Sequence, residues 1–176
     1  MPRAWIEDGL RHAGVREQSR RVALDRRRRC QALVEHRGPA MMRALVQEIA
    51  AALHEYRCST DDGEHPVEFE VFPRDGFLVS RAGPSSAVLQ CRPDYAEQIV
   101  YCNWAHAGDR ETEIVESPFN LHFTVDESGR VGVQHGARVF YDIAEIAECL
   151  LTPVLFPAGL QPASERPERC GLQVGT

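Results

Sequence analysis

Residues 117–156, SPFNLHFTVDESGRVGVQHGARVFYDIAEIAECLLTPVLF, decide the fold through their spacing. Phe119, Leu121, Phe123 and Val125 alternate with Asn120, His122 and Thr124, the period of two expected of a strand with one face in a core and the other toward water. Asp126-Glu127-Ser128-Gly129 supplies turn chemistry, and Val131 and Val133 resume the alternation, which predicts a β-hairpin. A short run from Arg138 to Tyr141 leads to Asp142, three residues before Glu145, the spacing of a helix N-cap. The period then lengthens to 3.6. Ile143, Ile146, Ala147, Leu150 and Leu151 make one apolar stripe, which predicts a helix over 142–152 that Pro153 ends or kinks.

Upstream, the runs 67–72, 76–82, 86–92 and 97–104 have strand character, and Pro73-Arg74-Asp75-Gly76, Gly83-Pro84-Ser85 and Arg92-Pro93-Asp94 punctuate them. Short strands joined by tight turns make an antiparallel meander, because parallel neighbours need long crossovers. A further run at 111–116 feeds the hairpin, and 58–66 is a polar loop. Met42, Leu45, Val46, Ile49, Leu53 and Tyr56 form an amphipathic helix expected to lie across the sheet. Gly38-Pro39 reads as a break before that helix, and residues 3–36 favour helix without a steady apolar stripe. The fold class expected is α+β: one or two N-terminal helices, an antiparallel meander of about five to seven strands, and a C-terminal helix packed on the sheet. Three segments follow: an Arg-rich helical arm at 1–37, an α+β core domain at 38–157 and a disordered tail at 158–176.

The chain of 176 residues suits one well-buried core, and it has neither a secretory signal pattern nor a run of eighteen apolar residues. A cytoplasmic protein, not inserted in a membrane, is expected. Six cysteines at 30, 58, 91, 102, 149 and 170 lack the close spacing of a disulfide framework and are expected to be reduced, Cys91 and Cys149 as small core residues. The net charge of −6 is unevenly placed: residues 1–37 carry ten Arg against five acids, and residues 38–157 carry eight Arg against nineteen acids. All twenty basic residues are Arg, which points first to a genome rich in G and C and carries no functional weight by itself.

Candidate chemistry is sparse. Arg16, Arg20, Arg21, Arg26, Arg27, Arg28 and Arg29 are the expected partner-binding residues of the arm, able to dock on an acidic protein surface or on phosphates. No aromatic residue is interleaved among them for base stacking, and the acidic body would repel a polyanion. Arg16-x3-Arg20 resembles the arginine motif of PilZ cyclic-dinucleotide receptors, but Val131 stands where the partner motif after Asp126-x-Ser128 requires Gly. Cys102-x3-His106 and His54-x3-Cys58, with His65 near, are loose half-sites short of the four ligands of a closed zinc centre. Gly83-Pro84-Ser85-Ser86-Ala87 departs from the nucleophile elbow at Ala87 and joins two strands, so it reads as a turn. Glu68 with Glu70, and Glu111 with Glu113, are expected on solvated strand faces. No phosphate loop, metal site, cofactor site or catalytic set emerges.

The leading expectation is a small cytoplasmic protein-binding module of adaptor, inhibitor or chaperone type, using a basic helical arm and an acidic α+β body. Its partner is another protein, with homo-oligomerisation left open. One alternative is a small-ligand protein or enzyme with a pocket on the polar sheet face near Tyr101, Trp104, His106 and His122. Strand alternation sets Tyr101 with Asn103 and Cys102 with Trp104, so at most one set faces such a pocket. The other alternative is a nucleic-acid-binding regulator using the arm.

Overall fold

The computed structural model describes residues 3–60, 66–83, 85–107 and 114–157. The expectations for Pro84, His65, Glu111, Glu113, Cys170, the loop residues 61–65 and the tail 158–176 lie outside these residues. One helix, α1 (Ala4–Ser59), is followed by β1 (Val67–Phe72), a 3-10 turn at Pro73–Asp75, β2 (Gly76–Arg81), β3 (Ala87–Asp94), β4 (Ile99–Ala107), β5 (Ile114–Val125), β6 (Val131–His135), β7 (Arg138–Phe140) and α2 (Ile143–Leu155). The architecture is α+β, and the strands form one open antiparallel sheet in sequence order, β1 to β7.

The pattern of the hairpin residues explains its form. Phe123 pairs with Val133 and Val125 with Val131, with all four facing inward. Gly129 adopts φ +82°, and Asp126 caps the turn by accepting from Ser128 Oγ at 2.7 Å and from the backbone N–H of Arg130 at 2.8 Å. The Ser128 hydrogen bond, with the backbone donor of Arg130 behind it, holds the Asp126 carboxyl below its ordinary pKa. Asp142 caps α2 as its spacing predicts, accepting from the N–H of Ala144 at 2.8 Å.

Both helices lie on one face of the sheet. Met42, Leu45, Ile49 and Leu53 from α1 meet Ile146, Ala147, Leu150, Leu151 and Val154 from α2 over Phe77, Val79, Leu89, Cys91, Val100 and Leu121. Burial of these side chains is the main driving force for the fold.

The Gly38-Pro39 reading is corrected, and at Pro153 the helix does not end. Gly38-Pro39 does not break the chain into two helices; α1 runs through it with Pro39 inside. An interior proline costs about 3 kcal/mol and leaves the carbonyl four residues back without its donor. That carbonyl belongs to Glu35, an exposed residue, and buried Val34 before the proline and Met41, Met42 and Leu45 after it hold both sides on one core. Gly38 serves a different purpose. It is buried under the ring of Tyr95, and a Cβ there would stand 2.9 Å from Tyr95 Cδ1. Similarly, α2 continues past Pro153 to Leu155, because Val154 and Leu155 are buried and draw the last turn inward.

Candidate functional site

Only part of α1 meets the sheet. At 56 residues and 1.5 Å per residue the helix is about 84 Å long. From Trp5 to Arg29 every side chain described is exposed, including Trp5 at 69%, Leu10 at 70%, Val15, Val22 and Leu24. The arginines named from the sequence, Arg16, Arg20, Arg21 and Arg26 to Arg29, all lie on this exposed length. Arg21 pairs with Glu17 at 3.2 Å on the helix surface, a contact of small energetic weight.

The helical period sorts these arginines. Arg16, Arg20 and Arg27 stand about five whole turns before Val34, Gly38 and Leu45, so they occupy the side of the helix that becomes core-facing further along. Arg26 and Arg29 point elsewhere. Together with Cys30 and Leu33 they line a cleft of about 290 Å³ against Val125, Asp126, Glu127 and Gly129 of the hairpin. One helical turn past Leu33, Arg37 donates through Nη1 to the Gly129 carbonyl at 2.6 Å. Two guanidinium groups thus share a cleft with two carboxylates, and among the described residues no ion pair closes across it.

The four pocket residues do not come together. Register places Tyr101, with Asn103, Asn120 and His122, on the sheet face that carries no helix; Tyr101 is 47% exposed and His122 is exposed. Trp104 and His106 lie on the opposite, helix-covered face, their rings stacked at 4.5 Å. His106 Nδ1 donates to the carbonyl of Ala107 at 2.9 Å, and Trp104 Nε1 has no hydrogen-bond partner among the described residues. Beside Trp104, Phe119, His135, Cys149 and Pro153 line a depression of about 20 Å³, room for roughly one water and far below a ligand pocket. Burial of His135 in this rim lowers its pKa.

His54 Nε2 and Cys58 Sγ are 3.8 Å apart on successive turns of α1, and among the described residues no three metal-ligating side chains gather. Ser85 lies between β2 and β3, where its carbonyl accepts from Arg81 Nη1 at 3.4 Å. Glu68 and Glu70 are exposed on β1.

Several contacts escaped the sequence reading. Tyr95, in the β3–β4 turn, donates its hydroxyl to Asp75 Oδ2 at 2.8 Å, and Arg43 of α1 stands 3.7 Å from Asp75 Oδ1. Burial, then the bond to Asp75, raises the Tyr95 pKa. Arg81 is the one charged side chain buried among the described residues, at 3% exposure, with its Nε unpartnered there. Cys91 and Cys102 face each other under the helices with sulfurs 3.3 Å apart. Only the last had a sequence signal, since both cysteines fall in strands joined by a short turn.

Comparison of the chain with protein-family models, curated proteins and solved structures finds no match. Among the described residues the geometry defines the class, an open seven-stranded antiparallel sheet with two helices on one face and a helical arm running beyond it.

Proposed function

We propose that this chain is a protein-binding module of adaptor, inhibitor or chaperone type that grips an acidic partner with residues 5–33 of α1. The single observation that carries the reading is the exposed length of helix beyond the sheet, with Trp5 and Leu10 in solvent and Arg16, Arg20 and Arg27 along one side. Helices in proteins draw most of their stability from packing, and this length contains Gly9 and Gly14, poor helix formers, and none of its described side chains is buried by the sheet. A partner that covers it supplies what the sheet supplies to the rest of α1. Clustered guanidinium groups select a surface rich in carboxylates, and the apolar side chains between them favour one with small hydrophobic recesses.

Cys30, Cys58, Cys91 and Cys102 are free thiols, the form in which a reducing cytoplasm keeps cysteine. No helix among the described residues is long and apolar enough to cross a membrane. A small-ligand or enzymatic role draws little support from a solvated Tyr101–His122 face and a one-water depression beside Trp104.

The test is capture from native lysate at low salt by the full chain and by an Arg16→Glu/Arg20→Glu/Arg27→Glu variant, with mass by light scattering. The wild type should retain a protein whose binding falls about tenfold or more in the variant and weakens with salt. A strict monomer that retains nothing at low ionic strength overturns the proposal. Retention of nucleic acid in place of protein would replace it with the regulator reading.

A further inference from the structure

Cys91 of β3 and Cys102 of β4 are direct cross-strand partners. Their ladder decides which kind of pair they are. The N–H of Ala107 donates to the carbonyl of Ser86 at 3.0 Å, so Ser86 and Ala107 occupy a hydrogen-bonded position of the β3–β4 ladder. Such positions alternate along an antiparallel pair, and Cys91 with Cys102 therefore falls in a non-hydrogen-bonded position, where opposed Cα atoms approach to about 4.5 Å. That separation is at the near end of the range a disulfide spans. Both side chains point to the same helix-covered face, both are buried, and the sulfurs are already 3.3 Å apart.

We propose that Cys91 and Cys102 form a reversible disulfide site, a covalent clasp between β3 and the central strand β4. The oxidant it requires is a hydroperoxide, small enough to enter a partly opened core. One cysteine, as thiolate, attacks the peroxide oxygen and becomes a sulfenic acid, with hydroxide or alcohol leaving. The sulfur of the other cysteine then displaces the sulfenic oxygen as water and forms the S–S bond. The two thiols give up two protons and two electrons, and hydrogen peroxide leaves as two waters. Burial, with the hydrogen bond from the neighbouring thiol behind it, raises the Cys91 pKa and keeps its sulfur protonated in the closed fold. Oxidation therefore proceeds during brief separation of the helices from the sheet, and the finished bond is shielded from reductant once the core closes. The clasp does not depend on what the arm binds.

The experiment treats the reduced full chain with hydrogen peroxide, blocks remaining thiols by alkylation and cleaves at Glu97, which lies between the two cysteines. Without reductant the peptides containing Cys91 and Cys102 should stay linked, and with reductant they should separate. The oxidised chain should melt higher by roughly 5–10 °C, a gain missing from Cys102→Ala and kept by Cys58→Ser. Alkylation of both thiols after oxidation, separate conversion to sulfinic acids, or linkage through other cysteines would each overturn the proposal. The peptide result on the wild-type chain decides even where Cys102→Ala fails to fold.

Discussion

Residues 5–33 and 34–56 are turns of one helix in opposite surroundings. The second length delivers Val34, Met42, Leu45, Ile49 and Leu53 to the core, and the first delivers no fully buried side chain among the residues described. Both are helical, and the apolar residues of the first are not fewer than its position in solvent would suggest: Trp5, Ile6, Leu10, Val15, Val22 and Leu24 are all exposed. Amphipathic spacing separates them. Downstream the apolar positions gather on the side facing the sheet; upstream that side carries Arg16, Arg20 and Arg27, and the apolar residues scatter around the circumference. A helix is thus held to this sheet by where its apolar atoms point, and the same secondary structure without that arrangement is left available to another surface.

The sharpest way to break the contrast is by truncation at matched leucines. Leu45→Ala should cost about 2–5 kcal/mol of unfolding free energy, because the removed atoms leave a cavity in a close-packed core. Leu10→Ala should stay within about 0.5 kcal/mol of wild type. Denaturant unfolding followed by circular dichroism reads both, and equal losses would show that the arm is packed in solution. A smaller effect is expected where the lengths join. Gly38→Ala places a Cβ against the Tyr95 ring and should cost about 1–3 kcal/mol, partly restored by adding Tyr95→Ala. Two additive losses would mean that the ring and the helix do not touch.

The smallest effect is a pH dependence at the same junction. The folded-state pKa of Tyr95 is raised, so between the unfolded value, about 10, and the folded one the unfolded chain loses a proton that the folded chain keeps. The stability contribution of Tyr95 is therefore complete below about pH 10 and lost progressively above it. The difference in denaturation midpoint between wild type and Tyr95→Phe should be constant from pH 7 to about 9 and shrink by about pH 11. A difference that does not change over that span would count against the Tyr95–Asp75 bond.

Much of the fold was legible from local pattern. The alternation at Phe119–Val125, the turn at Asp126–Gly129 and the cap at Asp142 each occupy a few consecutive residues whose backbone preferences agree. The prolines misled for the converse reason. Pro39 and Pro153 are unfavourable to a helix locally, and in both places buried side chains beyond the proline outweigh that cost. The candidate pocket residues divide between the two sheet faces: alternation separated Tyr101 from Trp104, yet nothing in β4 alone says which set lies beneath the helices.

What the amino-acid order determined by itself was periodic and short-ranged: alternation for about five to seven strands, two amphipathic stripes, the cap at Asp142, the turns, and a surplus of arginine over acid before residue 38. The tertiary structure alone decided that Tyr95 covers Gly38, that Arg37 ties the arm to Gly129, that Cys91 and Cys102 meet in a non-hydrogen-bonded pair, and that Trp104 and His122 part company. The physical reason is range. Backbone preference and side-chain period act over a turn of helix or a few strand residues, whereas these contacts join segments brought together only when the two helices settle on one face of the sheet and fix which side of each strand is dry.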